Sequence, residues 1–343
     1  MKAVVVEDAN KLSIREVPEP GPPGPYRALT KVVCGSLCNS TDLEIFHRQL
    51  HFVTDYPTIL GHEVVGRVIA VGEKVRNFRI GDLVSRPRAC VPPELLLYES
   101  WGGFAEYGLV TDVRAIVKDG LTPVKLGRVP DQIAAPPDAD PVALTQMVTL
   151  RETLSVLRNL GVKAGDSVVI FGPGPVGVSF SMLARQIGLD PVIVVGRREE
   201  PLERARTFGR ATHVINNTTD NVPEIVRELT GGRGADWAIE AIGTDAVMPD
   251  ALAAINPQGK VALYGVPDAS EVGSALRRGP QISPRRADEG AAAEEIFDLV
   301  GKGLIPAREF VTHELPMVEA AEGLRLLEAK QAFKVLLWVE PPA

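Results

Sequence analysis

The stretch "VVCGSLCNSTDLEIF" sets Cys34 and Cys38 four residues apart, with Ser40, Thr41 and Asp42 just beyond the second thiol. A little further on, "YPTILGHEVVG" places His62 and Glu63 directly after Gly61. Imidazole and thiolate are the donors that zinc prefers, and carboxylate is a third choice. Together with a hydroxyl, such a set could hold a metal over a reacting alcohol. Taken singly, each residue also has an ordinary reading: a cysteine is often a small buried side chain, and a histidine before a strand often only satisfies a turn. Cys38 and His62 lie 24 residues apart, so only the fold can bring them together. At the level of residues both readings stand.

A second chemical signal is "VVIFGPGPVGVSFSMLARQIG". Gly172, Gly174 and Gly177 make G-x-G-x-x-G directly after an apolar strand and at the opening of a helix that begins near Pro175 and Val176. The first glycine permits a tight turn, the second lets the backbone approach a pyrophosphate, and the third allows close helix–strand packing. The free N–H groups and partial positive charge of the helix N-terminus then face the anion. In an NAD site the next strand ends in an acid about 20 residues beyond the glycines, which binds the adenosine ribose. Here "PVIVVGRREE" offers Gly196 there, followed by Arg197 and Arg198. A carboxylate would repel a 2′-phosphate, whereas a guanidinium can hold it through paired hydrogen bonds. The expected cofactor is therefore NADP(H), with NAD as the alternative. Two arginines at a loop start are also what a solvated surface looks like, and Glu199 and Glu200 follow them.

These residues need elements to position them. With 343 residues the chain is long enough for two domains. The first half carries short β-branched runs, "KAVVVE", "ALTKVVC" and "EVVGRVIAVG", then "NFRIGDLVS", with proline-rich connections at "EPGPPGP" and "LGRVPDQIAAPPDADP". From about Thr145 helix-length segments alternate with four apolar strands, "DSVVIFG", "PVIVVG", "ADWAIEAIG" and "GKVALYGV", the pattern of a parallel, doubly wound sheet. Two further helical stretches and a closing strand, "KVLLWV", follow. An α/β nucleotide domain (152–286) is thus expected to be inserted in a mostly β domain (1–151 and 287–343). The net charge of −7 argues against nucleic acid as a partner, and no apolar run approaches the ~20 residues that span a bilayer. The N-terminus does not read as a signal peptide. Three cysteines make no disulfide framework, so a cytoplasmic location with reduced thiols is expected.

"GHEVVGRVIAVGEKV", "IGDLVS", "GGFAEYGLV", "KAGDSVVIFGPGPVG" and "FKVLLWV" together resemble the medium-chain dehydrogenase/reductase superfamily, specifically its zinc alcohol and polyol dehydrogenases. The similarity runs collinearly over nearly the whole chain. It implies a GroES-like catalytic domain built from both chain ends and a Rossmann domain between them. It implies a catalytic zinc held by Cys38 and His62, with Glu63 coordinating or beside the metal. It also implies a small alcohol or carbonyl substrate and assembly as a homodimer or homotetramer.

The chain departs from that pattern in four places. The interval where many relatives carry a four-cysteine lobe holds only Cys90, and one thiol cannot close a four-ligand site, so no structural zinc is expected. The family's third zinc ligand falls at Val148, which cannot bind metal; Glu152, four residues on and on the same face of a helix, is the substitute candidate beside Glu63. "CNSTD" is one residue longer than the usual Cys-x-Thr/Ser-Asp, which leaves Ser40 or Thr41 as the proton-relay hydroxyl. The relay's terminal histidine falls near Leu43 or Glu44, and His47 and His51 read as exposed loop residues. The sum is a zinc-dependent, NADP(H)-linked alcohol dehydrogenase. Its rivals are a zinc-free quinone or enoyl reductase on the same scaffold and a non-catalytic NADPH-binding protein.

Overall fold

The computed structural model describes residues 1–122, 132–136, 138–267, 270–284 and 287–340. The chain divides into two compact units, Met1–Val148 with Phe297–Ala343, and Thr149–Ile296. The divisions fall inside the helices Met147–Leu160 and Ala293–Gly301. The sequence placed them at 151/152 and 286/287; Arg286, beside the second of these, lies outside the described residues.

The first unit is built on the strand Arg27–Leu37. Its burial alternates with period two before running fully buried from Cys34 to Leu37, which is how a strand enters a core. It pairs antiparallel with Glu63–Val71, Tyr107–Thr111 and the closing strand Val335–Trp338, and Leu83–Ser85 and His313–Pro316 extend the sheet. Of "NFRIGDLVS" only Leu83–Ser85 is strand, because Gly81 takes a φ of 98° and turns the chain at Asp82. A second sheet runs Lys11–Glu16, Lys2–Asp8, Thr58–Ile59, Tyr98–Glu99. Met1, Ala3, Val5, Val17, Ile59 and Leu97 close its core.

The second unit is a doubly wound sheet of six strands in the order His213–Asn216, Val192–Gly196, Val168–Phe171, Ala235–Glu240, Ile255–Leu263, Ile282–Ser283, all paired parallel. Val192–Gly196 and Val168–Phe171 are buried at every residue, as strands covered on both faces must be. The two outermost strands are additions to the four legible in the sequence; "HVIN" and "IS" are too short and too polar to stand out. Among the described residues no helix is long and apolar enough to cross a membrane.

Candidate active site and cofactor loop

Strand register assembles the first cluster. Ser36 pairs with Glu63 and Leu37 with Val335, so the residues just past these pairs, Cys38, His62 and Lys334, meet at one end of three strands. The Sγ of Cys38, a ring nitrogen of His62 and a carboxylate oxygen of Glu63 all lie within 4.8 Å of one another. Among the described residues this is the one such group of three or more potential ligands, and Glu152 is not part of it. His62 and Glu63 are buried, and Cys38 is partly so.

Two further side chains, not singled out from the sequence, complete the surroundings. The Nζ of Lys334 donates to Glu63 Oε2, a pair buried on both sides. Asp42 Oδ2 accepts the Cys38 N–H at 2.8 Å, while its Oδ1 faces His62 Nδ1 at 3.7 Å. That separation is outside hydrogen-bond range, so Asp42 acts on the ring as a charge. His62 Nδ1 and Asp42 Oδ1 are both buried and without a hydrogen-bond partner. Burial and the Glu63 carboxylate push the Cys38 thiol up, but the His62 ring and the Lys334 ammonium outweigh them and hold it below its ordinary 9.0. Burial lowers His62, yet Asp42 and Cys38 carry it up to about 10. Burial works against the Lys334 ammonium, and Glu63, Cys38 and Asp42 together more than offset it. A cysteine sulfur, an imidazole and a carboxylate brought together in this way are a donor set suited to zinc.

The neighbouring residues sort themselves. Ser40 caps the helix Thr41–Phe46, and its exposed hydroxyl donates to Glu44. Thr41 opens that helix and is half-buried. His47 is not a free loop residue: its ring bonds Asn10 and reaches Glu328 at 2.7 Å. His51 is exposed, edge-on to Phe52. Cys34 is buried, its thiol raised by that burial. Val148 is buried and apolar.

In the second unit the glycine loop has the geometry its motif requires. Gly172 has a φ of 113°, the left-handed region that favours glycine. A Cβ at Gly174 would meet nothing within 4 Å, while one at Gly177 would lie 1.8 Å from Gly172 O. Open space at one glycine and backbone contact at the other make a cradle at the N-terminus of the helix Pro175–Ile187, whose first turn holds Pro175 and Val176. The cradle suits a pyrophosphate. Gly196 is tightly packed, since a Cβ there would come within 2.6 Å of Pro173 Cγ. Arg197 and Arg198 are exposed and make no ion pair among the described residues. Glu199 is held by Asn216, and Glu200 by Arg204 at 2.8 Å. Glu152 belongs to this unit, where its Oε2 accepts from the Tyr264 hydroxyl at 2.8 Å. Of the arginine-rich stretch after Ala275, Arg277 is sequestered against Glu240 and Asp245; Arg285 and Arg286 lie outside the described residues.

Comparison with known proteins places both units. A family model described as "Alcohol dehydrogenase GroES-like domain" matches residues 24–120, and one described as "Zinc-binding dehydrogenase" matches 175–287. A probable zinc-binding alcohol dehydrogenase of Mycobacterium tuberculosis is 29% identical, over 99% of this chain and 89% of that protein. A sorbitol dehydrogenase of Bacillus subtilis is 27% identical, over 98% and 97%. The solved structure of an alcohol dehydrogenase from Thermus sp. ATN1 superposes with a TM-score of 0.81 at 27% identity, covering 98% of this chain and 99% of that one.

Proposed function

The chain belongs to the medium-chain dehydrogenase/reductase superfamily as an alcohol dehydrogenase-like oxidoreductase, and from that premise we propose that it oxidises an alcohol to a carbonyl, reversibly, with one catalytic zinc and a preference for NADP⁺. The observation that carries the reading is the convergence of Cys38, His62 and Glu63 within 4.8 Å. In this reading these three residues hold the zinc, with Glu63 rather than Glu152 as the third ligand, because Glu152 is not part of that group.

A bound zinc supplies Lewis acidity that lowers the pKa of the substrate hydroxyl. A bound oxidised nicotinamide supplies the acceptor for the hydride that leaves the carbinol carbon. The protein's own residues do the rest. Asp42 keeps His62 oriented by charge, and Lys334 holds the Glu63 carboxylate in place. Thr41 takes the hydroxyl proton and passes it on, since the Ser40 hydroxyl is committed to Glu44. Gly172, Gly174, Pro175, Val176 and Gly177 cradle the pyrophosphate.

Gly196 bears on the choice of cofactor. Its packing against Pro173 leaves no space for an acid, and Arg197 and Arg198 beside it make no ion pair among the described residues. A guanidinium bonded to a 2′-phosphate contributes enough to change affinity roughly 10–100-fold. The test is kcat/KM with NADP⁺ against NAD⁺ over a panel of alcohols, in wild type and in the variant carrying Arg197→Ala and Arg198→Ala. The preference should fall by that factor with little change for NAD⁺; an unchanged ratio would remove the two arginines from cofactor choice. Turnover that survives exhaustive metal chelation would instead favour a zinc-free reductase.

A further inference from the structure

Beside the candidate zinc ligands runs a file of aromatic rings that the reaction itself does not use. The Trp101 ring lies 5.3 Å from the His62 ring, tilted by 47°. Phe52 stands edge-on to Trp101, at 6.5 Å and 77°, and His51 stands edge-on to Phe52, at 5.2 Å and 90°. All four belong to the first unit. Trp101 is held at its base. The strand Tyr98–Glu99 pairs with Thr58–Ile59, the Ser100 N–H donates to Thr58 Oγ1 at 2.9 Å, and the two hydroxyls are 2.8 Å apart. Phe52, by contrast, is 53% exposed, a large aromatic side chain left open beside a polar cluster.

We propose that Trp101 and Phe52 are specificity-determining residues that select alcohols and aldehydes bearing an aryl ring on the reacting carbon. The inference rests on the dehydrogenase reading, which puts that carbon at Cys38, His62 and Glu63. A substituent leaving the site past Trp101 meets ring faces and edges. Aromatic pairs prefer offset or edge-to-face arrangements with centroids about 4.5–7 Å apart, the spacing these rings already keep among themselves. An aryl substituent extends the file and covers Phe52. A polyol chain in the same place gives up its bonds to water against surfaces that offer few in return.

The experiment uses the zinc-loaded protein with NADP⁺. It compares kcat/KM for benzyl alcohol, ethanol and sorbitol in wild type, Phe52→Ala and Trp101→Leu, alongside calorimetric binding of benzyl alcohol without cofactor. The expected result is benzyl alcohol preferred over sorbitol by about a hundredfold or more. In Phe52→Ala the benzyl-to-ethanol ratio should drop about tenfold, chiefly through KM, and benzyl alcohol binding should weaken by a similar factor. Phe52 is exposed, so this variant does not depend on core repacking; Trp101→Leu should give the larger loss. Sorbitol preferred over benzyl alcohol, or a Phe52→Ala protein with unchanged benzyl kinetics and binding, overturns the proposal while leaving the dehydrogenase reading in place. Benzyl alcohol that binds in a Phe52-dependent way, with no alcohol turned over, sustains the wall and overturns the dehydrogenase reading instead.

Discussion

The surroundings of Cys38 and His62 push their protons in opposite directions. His62 is raised to about 10, so the metal-free ring keeps its proton through neutral pH, while the Cys38 thiol is held below its ordinary 9.0 and gives its proton up more readily than a free one. The consequence for stability follows from counting protons against the ordinary values, 6.5 for the ring and 9.0 for the thiol. The raised His62 contributes stability that is full below 6.5 and lost as pH climbs to about 10. The lowered Cys38 contributes stability that is full above 9.0 and lost as pH falls. Between 6.5 and 9.0 the two slopes oppose each other. Above 9.0 the thiol's contribution is complete and only the ring's loss remains, so the urea midpoint of metal-stripped protein should fall as pH climbs from 9.0 toward about 10. A midpoint that kept rising past pH 9 would show that the ring is not protonated. Zinc takes a thiolate and a neutral ring, so binding near pH 8 should release about one proton from the His62 ring together with any the thiol still holds, read by calorimetry in two buffers of different ionisation enthalpy. Lys334 allows a second test at this scale. Both it and Glu63 are buried, so Lys334→Met strands a carboxylate and should destabilise metal-stripped protein by about 3–5 kcal/mol in urea unfolding, whereas Lys334→Met with Glu63→Leu should recover most of that.

At the scale of elements, the segment between Ser85 and Gly103 lies where the resemblance would put a metal lobe. It forms a short 3-10 helix, Pro93–Leu95, and the strand Tyr98–Glu99, and it plugs Leu97 into the core with Met1, Val5 and Ile59. Cys90 is exposed and belongs to no group of three potential metal ligands among the described residues. Purified protein should hold about one zinc per chain, and Cys90→Ser should leave both metal content and thermal midpoint unchanged. Two per chain, falling to one in the variant, would show that the lobe binds metal after all. Elements also mark how far sequence could be read. The β-branched run "ALTKVVC" and the G-x-G-x-x-G turn were legible because each encodes its own local geometry. Lys334 was not, because it lies 271 residues from Glu63 and only the pairing of Val335 with Leu37 delivers it. Asp42 stood in plain view as an acid near a cysteine, but its service to His62 depends on the helix that begins at Thr41. The place of the Trp101 ring beside that of His62 depends likewise on a pairing distant in sequence, that of Tyr98–Glu99 with Thr58–Ile59.

At the scale of the whole molecule, the residues proposed for metal and those proposed for cofactor divide cleanly between the two units. Cys38, His62, Glu63 and Lys334 all belong to the first, assembled from both ends of the chain, and the glycine loop with Gly196, Arg197 and Arg198 belongs to the second. Each unit has its own sheet, so a lesion in one set of ligands need not unfold the other. This leads to a double dissociation. Cys38→Ala removes one donor of three and should abolish alcohol oxidation and most bound zinc, yet leave the NADPH dissociation constant within about twofold of wild type, because no residue of the cradle is touched. Gly177→Ala drives a methyl to 1.8 Å from Gly172 O, so the cradle must shift; NADPH affinity should fall by about tenfold or more while zinc content stays near one per chain. Both variants lose turnover, so activity alone cannot tell them apart. Metal content and cofactor fluorescence, measured on the same preparations, can. If Cys38→Ala also lost NADPH, the thiol would have a part in cofactor binding and the division of labour proposed here would be wrong. If Gly177→Ala also lost zinc, the two units would be coupled in folding in a way that their separate sheets do not require.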